Sequence, residues 1–261
     1  MAEPAEGGPP RLDFPAPGRA TITLARPAQL NRLHRADLLA LQAHCERLAA
    51  EPGLRVVVLR AEGRLFCAGF NLAELGSGGT AAADDPQLFE RTVDALAALP
   101  VPTLARLHGG VHGGAVDLAL ACDFRVGDAG LQLRMPAARI GLHYYPGGLR
   151  RAVSRLGLAA AKRLFLLAEV LDAAQLRELG YLDVVVATEA LDAEVERIAA
   201  ALLGGAPLAL SGMKRSLDEI AAGTADAEVL AARVQRCATS ADLREGLAAL
   251  ADKRPPRFEG R

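Results

Sequence analysis

Two glycine-bearing stretches carry most of the chemistry open to this chain. The first is Leu107–Asp123, read as Leu107-His-Gly-Gly-Val-His-Gly-Gly-Ala-Val-Asp-Leu-Ala-Leu-Ala-Cys-Asp123. An apolar run, Val101–Leu107, reads as a strand that feeds two Gly-Gly pairs, and a helix-competent segment, Ala115–Ala121, follows at once. Glycine lets the backbone take φ > 0 and lets a ligand approach the main chain. The first N–H groups of a helix have no internal partner, and the helix dipole makes that end partly positive. A strand, a glycine loop and a helix start therefore suit negative charge. The second stretch, Ala61-Glu-Gly-Arg-Leu-Phe-Cys-Ala-Gly-Phe-Asn-Leu-Ala-Glu-Leu75, repeats the plan and predicts a helix from near Asn71. Backbone donors from two such turns, converging on one point, are what a carbonyl needs when it becomes an enolate or tetrahedral oxyanion. Neither stretch is a Gly-x-x-x-x-Gly-Lys-Ser/Thr phosphate loop or a Gly-x-Gly-x-x-Gly dinucleotide fingerprint. Taken singly, each is also what a tight turn with close helix–sheet packing requires. His108 and His112 are four apart, but the glycines between them argue against a helix, and so against a zinc pair.

Periodicity gives the supporting elements. Ala20–Leu24 is a short β-rich run. Leu38, Leu41, Cys45 and Leu48 recur at helical spacing, and Pro52-Gly53 stops that helix. Val56–Leu59 is continuously apolar, the mark of a strand covered on both faces. Gly76–Pro86 reads as a polar, mobile loop and Leu88–Leu99 as an amphipathic helix. Short strands are expected at Phe124–Val126, Leu131–Leu133 and Val184–Val186. Helices dominate from Leu149, including Leu191–Leu203, Pro207–Ile220, Ala227–Ala238 and Ala241–Lys253. The pattern is α/β.

The chain has 261 residues, 51% of them hydrophobic, and a formal net charge of −1. That argues for a globular protein and against nucleic-acid or acidic-polymer partners. No apolar run approaches the ~18 residues of a bilayer span. Met1–Pro17, rich in Pro, Gly and Ala, reads as a flexible tail and not an export signal, so the expected location is cytoplasmic. The scattered cysteines 45, 67, 122 and 237 are then expected as reduced thiols.

Together these stretches resemble the crotonase family, the enoyl-CoA hydratase/isomerase superfamily. The resemblance rests on Arg26-Pro27…Asn31, Phe66-Cys-Ala-Gly-Phe-Asn-Leu72, His108–Asp123, Pro136…Gly141, Leu171-Asp-Ala-Ala…Gly180 and Glu245-Gly…Lys253-Arg…Phe258. It implies a spiral of β-β-α units over about residues 18–200, followed by a helical trimerisation region, 201–261. It also implies an acyl-coenzyme A thioester as substrate, no resident cofactor, and a homotrimer or dimer of trimers. Carried over residue by residue, the oxyanion-hole amides are those of Phe70 and Gly114, with the Phe70 ring walling the acyl pocket. The main chain at Ala68 is expected to meet the adenine, with Lys253 and Phe258 near the nucleotide.

The sequence also departs from the pattern. Hydratases of this family use two glutamates; the first position here is Asp117 and the second, after Pro136, is Ala137. General acid–base help is worth ~10²–10⁴ in rate, and an alanine supplies none. Asp117 resembles the dienoyl-CoA isomerase branch, whose other acids fall on Ala137 and Tyr145. The polar groups left to move a proton are Asp117, His143, Tyr144 and Tyr145, and Tyr144 stands where decarboxylating relatives carry a tyrosine. His112 is a further candidate for lining the acyl pocket. Asp117 is equally what a helix N-terminal turn favours. Three readings remain: a lyase or isomerase of acyl-CoA, a decarboxylase-like member, and an acyl-CoA-binding protein of impaired activity. A serine-peptidase cousin on the same spiral fold is a further reading, disfavoured because no serine accompanies a histidine near the glycine loop.

Overall fold

The computed structural model describes residues 7–74, 85 and 87–261. The expected Gly76–Pro86 loop, Asp85 apart, lies outside the described residues, as do residues 1–6 of the expected tail.

The first half of the chain supplies β1 (Arg11–Ala16), β2 (Arg19–Leu24), α1 (Arg35–Ala49), β3 (Val56–Ala61), α2 (Leu88–Ala97), β4 (Thr103–Leu107), β5 (Gly110–His112), α3 (Gly114–Leu120) and β6 (Phe124–Asp128). Then come β7 (Gln132–Arg134), α4 (Pro146–Lys162), β8 (Val170–Asp172), α5 (Ala173–Glu178), β9 (Val184–Val186), α6 (Leu191–Leu203), α7 (Pro207–Ala222), α8 (Ala227–Ala238) and α9 (Ala241–Ala251). The main sheet has the order β1-β2-β3-β4-β6-β9, and all its pairs are parallel except β1 with β2. A small second sheet, β5-β7-β8, stands beside it. This is the α/β spiral of β-β-α units that the resemblance implies.

Alternation along the strands explains the layering. Val57, Leu59, Ala105 and Leu107 face the large core shared with α1, α2 and α3. Val58, Leu104 and Val126 face the other way, against Leu191, Val195 and Ala199 of α6. The Val-rich run is therefore buried on both sides, as its composition predicts. By contrast α7 and α8 have no fully buried residue, and Met213, Leu217, Ile220 and Val234 are exposed. Lys214 ties α7 to the core through Asp123, at 2.6 and 2.7 Å. No described helix is long and apolar enough to cross a membrane.

Three expectations are corrected. Residues 11–16 are not tail: they form β1, with Leu12 opposite Ile22 and Asp13 opposite Thr21, joined to β2 by a turn in which Gly18 takes φ +75°. The strand is mostly exposed and gains its order from the β2 ladder, with Arg47 of α1 over the Phe14 ring. The glycine stretch before α3 is not all loop, because Gly110–His112 pairs with β7 as β5. The helix expected from Asn71 is a single 3₁₀ turn, Leu72–Glu74, within the described residues.

A chain lacking residues 1–16 leaves the β2 edge unpaired. With each lost ladder bond worth about 1 kcal/mol net, urea unfolding should show a loss of about 2–4 kcal/mol. An unchanged transition would mean that β1 contributes nothing to stability.

Candidate active site

Two loops meet where β3 and β4 end. The loop after β3 is stitched on one side to residues 30–33: Ala68 N–H donates to the Leu30 carbonyl and Leu33 N–H to the Gly69 carbonyl (both 2.9 Å), and Asn71 N–H to the Leu33 carbonyl (2.8 Å). On its other side it holds β5: Cys67 N–H donates to the Gly110 carbonyl (3.1 Å) and His112 N–H to the Cys67 carbonyl (3.0 Å). Asn31, buried and at φ 51°, makes the first seam possible. Its side-chain amide donates to the Glu62 and Leu65 carbonyls at 2.7 and 3.0 Å, and its Oδ1 accepts from Arg26 N–H at 2.9 Å. Burial pushes the Cys67 thiol up to about 12, so it stays a neutral donor to the Asn31 carbonyl.

The loops touch main chain to main chain. Gly69 has φ +91°, and a Cβ there would lie 2.7 Å from the His112 carbonyl oxygen and 3.2 Å from the Gly114 nitrogen. Only glycine fits that position, by conformation and by space. Gly114 begins α3, so its N–H has no acceptor within the helix. The Phe70 N–H donates to no backbone carbonyl among the described residues. The structure thus brings Phe70 and Gly114 together with their amides unspent in backbone pairing.

Asp117, on the first turn of α3, is 1% exposed and fully engaged. Arg151 of α4 donates through Nε to Oδ1 at 2.9 Å, and the Tyr145 hydroxyl donates to Oδ2. The Tyr144 hydroxyl donates to that of Tyr145 at 3.2 Å, and Arg151 also pairs with Asp94 at 2.9 Å. The result is a chain running Tyr144, Tyr145, Asp117, Arg151, Asp94. Burial, with the Asp117 charge adding to it, pushes both tyrosine hydroxyls well above the ordinary phenol range, so both stay protonated. Burial works against the Arg151 cation, but Asp117 and Asp94 outweigh it and hold the guanidinium charged. Ala137 is buried in the same apolar cluster as Tyr144 and Phe165.

The other expected residues are less gathered. His143 is exposed, and its Nδ1 bonds the Tyr144 carbonyl at 2.8 Å rather than reaching Asp117. The His112 ring folds over Gly110 and makes no side-chain hydrogen bond among the described residues. Lys253 follows α9 at φ 54°, and the Phe258 ring lies 3.5 Å from where a Gly246 Cβ would stand; neither makes an ion pair or side-chain hydrogen bond to the two loops. Sequence reasoning missed Arg151 and Phe89. The Phe89 ring tip covers Gly114, 2.5 Å from the place of a Cβ. Neither had a signal in local spacing, since each reaches the site from another helix.

With this geometry in hand, the comparisons decide the family. The family model described as Enoyl-CoA hydratase/isomerase matches residues 17–261. The chain belongs to that family. It is 33% identical to an enoyl-CoA isomerase/hydratase of Mycosarcoma maydis, over 81% of this chain and 78% of that one. It is 30% identical to the 2,3-dehydroadipyl-CoA hydratase of Escherichia coli, over 92% and 94%. A solved enoyl-CoA hydratase/isomerase family member superposes with a TM-score of 0.91 at 30% identity, covering 100% of this chain and 99% of that one. An enoyl-CoA hydratase/carnithine racemase from Magnetospirillum magneticum gives 0.89 at 28%, covering 98% of each. The crotonase resemblance read from the motifs is correct.

Two outcomes follow for this family member. Arg151→Met strands a buried carboxylate, so chemical denaturation should show a loss of about 3–5 kcal/mol. Adding Asp117→Asn should restore part of it; equal stability of Arg151→Met and wild type would remove the pair from the account. Burial, with Arg134 adding to it, lowers the His112 imidazole below its ordinary 6.5. The unfolded chain therefore binds that proton more tightly. Stability is fully present above the unfolded value and is lost as pH falls below it. The slope of melting temperature between about pH 7 and 5 should be shallower in His112→Gln.

Proposed function

We propose that this protein transforms acyl-CoA thioesters, using the N–H groups of Phe70 and Gly114 to polarise the thioester carbonyl and hold the enolate that forms from it. The observation that supports this reading is the contact of Gly69 with the His112 carbonyl and Gly114 nitrogen, together with the lack of a backbone acceptor for either amide among the described residues. Removing one such donor typically costs ~10²–10³ in rate. Coenzyme A enters and leaves as the thiol part of the substrate and product thioesters. The Ala68 main chain is assigned to the adenine, with Lys253 and Phe258 assigned nearby. The exposed apolar residues of α7 and α8 suit the homotrimer, or dimer of trimers, that the family resemblance implies.

The acid–base machinery differs from a two-carboxylate hydratase. Ala137 leaves no second acid, and Asp117 has both oxygens engaged by Arg151 and Tyr145. The proton is assigned to the Tyr144–Tyr145–Asp117 chain, with His143 removed from it by its outward position. Isomerisation or dehydration through that chain is the leading reading. The same engagement of Asp117 favours a second one, decarboxylation. Loss of carbon dioxide from a malonyl-type thioester delivers its electron pair to the carbonyl without any base, and a neutral phenol then supplies the α-proton.

The test offers the purified protein enoyl-, dienoyl- and malonyl-type thioesters in turn, with calorimetric binding of a saturated acyl-CoA alongside. Turnover of one class is expected, and Gly69→Ala, whose Cβ would stand 2.7 Å from the His112 carbonyl oxygen and push the two turns apart, should lower it ~10²–10³-fold. Binding without turnover of any class would convert the assignment to an acyl-CoA-binding protein. Neither binding nor turnover would overturn it.

A further inference from the structure

We infer that Phe89 sets the length of acyl group this protein accepts and selects for short ones. The inference rests on the reading that the Phe70 and Gly114 amides hold a thioester carbonyl. The Phe89 ring stands directly on Gly114: a Cβ there would meet Cζ at 2.5 Å, Cε2 at 2.9 Å and Cε1 at 3.2 Å. The same ring meets Phe70 edge-on with centroids 5.9 Å apart, and Tyr145 at 5.8 Å. Phe89 thus touches all three segments that surround the carbonyl position: the loop after β3, the start of α3 and the lead into α4. Beyond it the wall continues, with Tyr145 stacked on Tyr144 at 4.3 Å and Tyr144 against Phe165 at 5.1 Å. A carbonyl held by Gly114 N–H must run its carbon chain past the Gly114 Cα, and that is the space the ring fills.

The ring is held there by the fold. Thr92, Val93 and Leu96, three, four and seven residues after Phe89, bury the same face of α2 in the core, with Leu88 beside them. Glu90 Oε1 accepts from Gly147 N–H at 2.7 Å, locking the first turn of α2 to the first turn of α4. A Phe89 rotation that opened a longer channel would have to give up its contacts with Phe70 and Tyr145. Aromatic pairs of this geometry are individually favourable, so the closed wall is the stable arrangement.

Calorimetry with butyryl-CoA and octanoyl-CoA tests this without asking for chemistry, since neither saturated thioester turns over. Wild type should prefer butyryl-CoA. Phe89→Ala should move the octanoyl/butyryl affinity ratio toward octanoyl by up to about 200-fold, the scale of burying four more methylenes. Phe89→Leu, which keeps the helix face apolar, should move it several-fold in the same direction and covers the case in which the alanine variant does not fold. Wild type, Phe89→Ala and Phe89→Leu all binding both thioesters with one common ratio would overturn the role of Phe89 and leave the thioester reading standing. A wild type that binds neither would overturn the thioester reading itself.

Discussion

The close approach of Gly69 to the main chain of residues 112–114 is the constraint on which this site depends. Two polypeptide segments can come this near only where no Cβ stands between them and every displaced amide finds another partner. Gly69 meets the first condition at φ +91°. The second is met by pairing the flanks elsewhere, with Leu30 and Leu33 taking one side of the loop and β5 the other. Asn31 acts as the pin for that arrangement, because its side chain fills three backbone valences that a loop of this shape leaves open. A buried backbone polar group left unpaired costs about as much as a lost hydrogen bond, so such a loop is affordable only with this kind of accounting. Among the described residues, neither the Phe70 amide nor the Gly114 amide is consumed by that backbone pairing.

Behind this junction the electrostatics are those of a compensated pair. A lone carboxylate at the position of Asp117 would suffer a desolvation penalty of several kcal/mol. Arg151 offsets it, and Asp94 holds the far side of the guanidinium toward the half-exposed rim. Tyr145 completes the coordination of the carboxylate, and its stacking on Tyr144 makes the polar chain one face of an otherwise aromatic wall. Packing and charge are therefore one construction: the rings exclude water, and exclusion of water is what makes the ion pair and the phenol hydrogen bonds strong.

The sequence was informative wherever a local rule determined the outcome. Val56–Leu59 had to be covered on both faces, and the Gly-Gly pairs had to turn the chain into α3; both follow from composition over a few residues. Arg11–Ala16 was illegible because its order comes from β2, at the far side of a two-residue turn, and its own residues are mostly exposed. The β5 pairing escaped notice for the same reason, since its partner lies more than twenty residues on. At the site, Asp117 was visible as a departure from the two-glutamate pattern. Its neutralisation by Arg151 was not, because the pairing joins α3 to α4 across the core. His143 illustrates the opposite error: it stands beside Tyr144 in sequence, yet its side chain is exposed and its Nδ1 turns to the Tyr144 carbonyl, away from Asp117.

Ala137 and the engagement of Asp117 belong to one electrostatic logic. A site with two free carboxylates carries negative charge before any substrate arrives, and an enolate forming between them must be stabilised against that field. Here one carboxylate is replaced by a methyl group and the other is paired with a guanidinium. Fixed dipoles are most effective where no mobile charge or water competes with them, because the interaction of a developing oxyanion with an oriented N–H scales inversely with the effective dielectric. The residues at these two positions thus supply no second acid, and aromatic rings line the space beside Gly114. That arrangement suits chemistry in which the enolate is the only charge that has to be made.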